Sequence, residues 1–307
     1  MFDLYFAGFY GKETTDLIIE KDYNQLLSNI NERKKIPQFI EAKKNGIWKG
    51  KLLIDSGAFS IHKSGKEVPL EDYINWINEN HEYLDLYIQL DDIPGKWGIA
   101  RTKEEVTLSP IKTWENYLYM RSKLIDPNKL LPVFHQGEDL KYLKQMLNWE
   151  DDNKNKINYL CISSNKDLCA KKRSEWYKLC FEEIEKSNNP NIKIHSLGTQ
   201  SQYHCEEYPF TSVDATSWIM TGANGNIYTK WGVITISDRQ LYKKENIINN
   251  IAFNVFEKYV EEKGFNIEEL SNSSTERIKW NLLYLGDWAI NQRQYKGPKS
   301  FKLGRLF

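Results

Sequence analysis

The chain has 307 residues, and 42 Lys and Arg stand against 42 Asp and Glu, so its formal charge is zero. With 40% hydrophobic and 27% charged residues it has a globular composition, which excludes a disordered chain. No run of about 18 apolar residues exists, so no transmembrane helix is predicted, and neutrality removes the whole-chain basic charge that marks many nucleic-acid binders, leaving only local patches.

In chain order, short apolar runs alternate with helix-like stretches. The predicted strands are Leu4–Phe9, Leu52–Ile54, Leu84–Leu90, Leu131–Phe134, Asn158–Ile162, Ile192–Ser196, Thr211–Val213 and Gly232–Ile236. Several are continuous apolar runs, as expected for strands buried on both faces of a parallel sheet. Between them the predicted helices are Thr14–Asn31, Leu70–Glu79, Pro110–Leu124, Glu138–Trp149, Leu168–Lys186 and Ser201–Glu207. Ser109 followed by Pro110 predicts a helix N-cap with proline at the first helical position. Glu245–Lys263 and Thr275–Gln294 read as amphipathic helices that close the fold. Eight strands alternating with helices predict an α/β protein, a (β/α)8 TIM barrel with a C-terminal helical extension. The expected layout is one domain over 1–307, with the barrel core in 1–240 and closing helices and a basic tail in 241–307.

Polar residues recur at the C-terminal ends of the predicted strands. Asp55 ends LLID, Asp91 and Asp92 end YIQLDD, and His135 and Gln136 end PVFHQ. Ser163 and Ser164 end LCISS, Gly198 ends IHSLG, and Asp214 ends TSVD. In a barrel such positions meet at one mouth, where active sites are built. Each also has a plain structural reading. Asp-Ser-Gly is a common turn or N-cap, Asp-Asp before Ile-Pro-Gly suits a turn, and a lone His more often packs or caps. A carboxylate at the end of a buried strand must be solvated, paired or used. Two carboxylates facing one pocket, Asp55 and Asp214, suit glycosidic chemistry, in which one attacks the anomeric carbon and the other moves protons. Asp91 and Gln136 offer groups that match the amide and amino edge of a purine-like base.

These residues together resemble the tRNA-guanine transglycosylase superfamily, barrel enzymes that exchange guanine for a 7-deazaguanine in a nucleic acid. The family's Asp-Ser-Gly-Gly-aromatic motif is matched by Asp55-Ser56-Gly57-Ala58-Phe59. The resemblance implies a general acid/base in Asp55 and base stacking by Phe59. Asp91 resembles the family's base-reading carboxylate, and Gln136-Gly137 its Gln-Gly motif. Ser163-Ser164 stands where the family has Gly-Gly, a departure in the pocket wall, and Leu197-Gly198 resembles its apolar-Gly cover. Val213-Asp214-Ala215 matches the nucleophile's context. The matches run from residue 52 to 216 in family order, and their conjunction carries the resemblance.

The tRNA enzymes carry a structural zinc set, Cys-x-Cys-x-x-Cys plus His, after the nucleophile. Here no Cys follows Cys205 and no His follows His204, so no zinc subdomain and no cofactor are expected. The compact chain then more resembles the DNA-acting branch of phages and bacteria. The implied partners are DNA, single-stranded or opened, a free 7-deazaguanine and accessory proteins that open a duplex, with no membrane. Competing readings are a zinc-less tRNA enzyme and an inactive nucleobase- or nucleic-acid-binding barrel. The basic tail, with Arg293, Lys296, Lys299, Lys302 and Arg305, is a candidate phosphate contact or a solvated segment. Cys161, Cys169, Cys180 and Cys205 show no CxxC pair, which predicts a reduced, cytoplasmic setting, the host's if the chain is phage-encoded.

Overall fold

The computed structural model describes residues 2–64, 69–95, 98–99, 102–199, 201–237 and 253–294. Its centre is a parallel sheet in the order β5-β4-β3-β2-β1-β9-β8-β7-β6, with strands β1 (Asp3–Ala7), β2 (Asn24–Ser28), β3 (Leu52–Asp55), β4 (Leu86–Ile88), β5 (Leu130–Leu131), β6 (Val133–His135), β7 (Tyr159–Ser163), β8 (Lys193–Leu197) and β9 (Ser212–Ala215). β5 and β6 are two halves of one strand, parted by Pro132. The Leu131 carbonyl accepts from Gln89 N over 3.0 Å towards β4, and the Pro132 carbonyl accepts from Cys161 N over 2.8 Å in β7. The sheet therefore closes on itself into an eight-position barrel. Proline donates no ladder bond, so it sits where the strand changes partners.

Helices cover the outside in βα order. They are α1 (Lys12–Glu20), α2 (Ile36–Lys44), α3 (Ala58–Ser64), α4 (Leu70–Asn80), α5 (Lys103–Lys123), α6 (Leu140–Asn148), α7 (Ala170–Lys186), α8 (Gln202–Glu207) and α9 (Ser217–Ala223). The C-terminal helix Ser274–Gln294 fills the last place, packed on α9, α1 and β1, with the Trp288 ring 5.2 Å from Phe2. No helix among the described residues is long and apolar enough to cross a membrane.

The fold class is as predicted, but individual elements differ, and helices α2, α3 and α9 were not among those predicted. The predicted helix Thr14–Asn31 stops at Glu20, and its second half is β2. Asp22 takes φ +52 and turns the chain, and β2 slots between β1 and β3. The Gln25 amide, buried, donates to the Phe6, Gly8 and Leu26 carbonyls. Gly232–Ile236 is not the eighth barrel strand. β11 (Gly232–Thr235) pairs antiparallel with β10 (Asn226–Thr229) in a hairpin outside the barrel, and helix Phe253–Glu262 packs Phe256 and Val260 on that hairpin rather than closing the barrel. Pro110 lies inside α5, because the helix starts earlier, at a capping box in which Thr102 and Glu105 bond each other's backbone.

Strand parity places the site. Leu4, Phe6, Leu52, Ile54, Phe134, Leu160, Ile162, Ile194 and Val213 point outward into the layer beneath the helices. The alternate residues Tyr5, Leu53, Val133, Tyr159 and Cys161 fill the barrel interior. Two residues further along the same inward-facing rows stand Asp55, His135 and Ser163, with Leu197 and Asp214 at the matching ends of β8 and β9.

Candidate active site

Asp214 is 6% exposed at the end of β9, and its Oδ1 accepts from the Gly198 amide over 2.8 Å. The same oxygen lies 3.2 Å from His195 Nε2. Beneath it runs a buried relay. The Tyr159 hydroxyl donates to Ser212 Oγ over 2.6 Å, and Ser212 Oγ lies 2.5 Å from His195 Nδ1. With Tyr159 donating, the Ser212 proton faces Nδ1, so a neutral His195 carries its proton on Nε2, towards Asp214. Both contacts fall on Oδ1. Oδ2 has no hydrogen-bond partner among the described residues, the state a nucleophilic oxygen needs.

Asp55 ends β3 beside Ser28, and its Oδ2 accepts from the Gly57 amide over 3.1 Å. Burial, then the charges of Asp91 and Asp214, push its carboxyl up to about 7, against which the Gly57 hydrogen bond works. Gly57 takes φ +83, and a Cβ there would stand 2.9 Å from the Ile30 side chain and from Ser28 Oγ, so the turn requires glycine. Ser56 is buried, and Phe59, on α3, is 58% exposed.

Asp91 follows β4, and its Oδ2 lies 2.9 Å from His135 Nε2, while His135 Nδ1 lies 3.0 Å from Glu138 Oε1. Burial alone lowers the affinity of His135 for a proton, but hydrogen bonds to Asp91 and Glu138 outweigh it and hold the imidazolium up to about 10. His135 is therefore a cation clamped between two carboxylates. Asp92 turns the other way: its amide donates to Thr113 Oγ1 over 3.0 Å and its carboxylate lies 4.0 Å from Lys112, so it anchors α5.

Gln136 braces the loops. Its Oε1 accepts from Asn165 N over 2.9 Å and its Nε2 donates to the Lys172 carbonyl over 3.3 Å, so a base edge would have to displace one of these bonds. Gly137, at φ +108, is exposed beside it. Ser163 is half-buried and its carbonyl accepts from Gln136 N, Ser164 is buried, and Leu197 packs on the inner barrel cluster. Lys296, Lys299, Lys302 and Arg305 lie outside the described residues, as does the side chain of Arg293.

The structure thus brings Asp55, Asp91 and Asp214 together at one mouth, as strand-end reading predicted. Interior Cys161 reports the same convergence: burial, then the charges of Asp214, Asp55 and Asp91, raise its thiol well above the ordinary range. Sequence reading missed the roles of Glu138, His195, Ser212 and Tyr159. The parity of His195 and Ser212, two residues before Leu197 and Asp214, was the available signal. No protein-family model matches the chain and no curated protein does, so its function is argued from these residues.

Proposed function

We propose that the protein is a base-exchanging glycosyltransferase of the guanine transglycosylase kind, which replaces guanine in DNA with a 7-deazaguanine. The observation that carries this reading is the placement of Asp55 and Asp214 at one mouth, one carboxyl raised to about 7 and the other holding a free oxygen.

In the proposed cycle Asp214 Oδ2 attacks the sugar's anomeric carbon as the carbon–nitrogen bond breaks. Guanine leaves with the bonding pair and takes a proton from Asp55. The incoming base then gives its ring N–H proton to Asp55 and attacks the same carbon, and Asp214 departs. Asp55 ends as it began, and two displacements give retention. A carboxyl near neutral pH serves both proton steps. Asp91, held by His135, reads the base edge, and Phe59 offers a stacking face. A base in a duplex must be flipped out, so opened or single-stranded DNA is the easier substrate. The choice of DNA rests on the resemblance to the DNA-acting branch.

The test is nucleoside mass spectrometry of DNA and tRNA incubated with the protein and a free 7-deazaguanine, run beside Asp214→Asn. The reading expects the modified nucleoside in DNA, a trapped covalent adduct, and loss of both in Asp214→Asn by at least about 10³-fold. Incorporation into tRNA alone overturns the choice of DNA. An adduct that survives in Asp214→Asn overturns the nucleophile.

A further inference from the structure

A cavity of about 530 Å³ opens beside Asp214. Gly198 and Ala215, which flank that carboxylate, form its inner wall. Thr216 of the β9–α9 turn, Thr229 of the hairpin and Tyr284 of the C-terminal helix are among the residues that line the remainder. Two cations, Lys166 and Arg173, line it from the β7–α7 side.

Among the described residues no carboxylate pairs with Lys166 or Arg173, and Arg173 Nε is buried without a hydrogen-bond partner. Lys166 lies over Gly198: a Cβ on that glycine would stand 2.6 Å from Lys166 Nζ, so the ammonium sits next to the amide that holds Asp214. The first turn of α7 adds to the imbalance. It carries Lys171, Lys172 and Arg173 and no acid, at the helix end where the peptide dipoles already present positive charge. Cations there repel the dipole until an anion arrives, and a buried, unpartnered guanidinium N–H calls for an acceptor.

We infer that this cleft is a phosphate subsite, which takes the backbone phosphate of the nucleotide next to the one held at Asp214, with Lys166 and Arg173 supplying the charge. The inference rests on the base-exchange reading, since it places the rest of a polynucleotide whose reacting sugar lies at Asp214. The hydroxyl of Thr216 is a further donor to a phosphate, and Tyr284 gives a flat apolar wall to the sugar or base beyond it. Shape and charge favour a chain over a free base, which carries no phosphate and needs none of these groups.

The experiment measures binding of a labelled single-stranded DNA oligonucleotide by fluorescence anisotropy, and of free guanine by calorimetry, with the full chain. Lys166→Ala combined with Arg173→Ala is expected to weaken the oligonucleotide about 10-fold or more and to flatten its log–log salt dependence by about 0.7 for each phosphate no longer neutralised. Guanine binding stays within twofold. Lys186→Ala, which removes one charge at the far end of α7, leaves both unchanged. Lys166→Glu, at an exposed loop position, repeats the test should the double variant lose stability, and Arg173→Lys restores part of the affinity. Oligonucleotide binding by the double variant within twofold of the parent, with the parent still exchanging bases, overturns the phosphate subsite and leaves the base-exchange reading standing. A parent that binds guanine and no oligonucleotide at any salt overturns both.

Discussion

His135 Nε2 lies 2.9 Å from Asp91 Oδ2, joining two strand ends that are 44 residues apart in the chain. The imidazolium fixes one oxygen of Asp91, and the other has no hydrogen-bond partner among the described residues, so His135 is a positioning residue for the proposed base reader. Substituting His135→Gln should raise KM for the free base by about 10-fold or more while kcat changes less, because a ground-state contact is misplaced. Steady-state kinetics check this, and a fall in kcat alone with KM unchanged would refute the positioning role.

The same contact makes a stability prediction. The proton affinity of His135 is raised on folding from 6.5 to about 10, so its contribution to stability is complete below about pH 6.5 and is lost as pH rises through about 10. Urea denaturation between pH 6 and pH 10 should show stability falling by a few kcal/mol, and His135→Gln should flatten that fall. An unchanged slope in the variant would count against the clamped imidazolium.

Asp55 works in the opposite chemical class but the same direction. Its folded value of about 7 stands above the ordinary 3.8, so the folded state holds a proton the unfolded chain has released. Stability should therefore decline as pH rises from about 4 to about 7, by no more than roughly 4 kcal/mol. Asp55→Asn should remove this decline and also erase the limb of the exchange-rate profile near pH 7. Chemical denaturation and a pH–rate series read the two effects separately, and a limb that persists in Asp55→Asn would assign the proton transfer elsewhere.

Gly57→Ala puts a Cβ 2.9 Å from Ile30 and Ser28 Oγ at a backbone φ of +83. The expected cost is about 1–3 kcal/mol, with a matching loss of activity as the amide that bonds Asp55 shifts. Denaturation midpoints measure it, and a variant within about 0.5 kcal/mol of the parent would show the turn to be less constrained than its geometry implies.

Ser212→Ala breaks the relay beneath Asp214. It frees His195 Nδ1 from its donor and leaves the buried Tyr159 hydroxyl without its acceptor, for an expected loss of about 1–3 kcal/mol in stability. The exchange rate should fall further than stability explains, and pairing the change with Tyr159→Phe should recover stability but not rate. Recovery of both together would make the relay purely structural.

Much of this protein was legible in its sequence, for a local reason. A strand buried on both faces is a short apolar run, so the polar residue that ends it stands out, and in a barrel such ends meet at one mouth. Asp55, Ser163 and Asp214 each close such a run, and that strand-end position is why they were found as one set; the structure adds that all three stand on the inward row. The alternation of strands with helices gave the barrel class, though not β2 as its second strand.

Tertiary structure decided what local pattern left ambiguous. Ile18, Ile19, Tyr23, Leu26, Leu27 and Ile30 continue a helical spacing, and nothing within DYNQLLSNI forbids a helix. The gap between β1 and β3 makes the second half a strand, since only there do its backbone groups and the Gln25 amide find partners. Gly232–Ile236 has a strand's composition, but the ring is already filled by β2, so it pairs with its own neighbour instead. The contacts that tune the site follow the same rule. His135 with Asp91, and Lys166 over Gly198, join residues from different βα units. The first meeting depends on the ring closing at Pro132, which sets the end of β6 beside that of β4, and the second on β7 and β8 lying side by side.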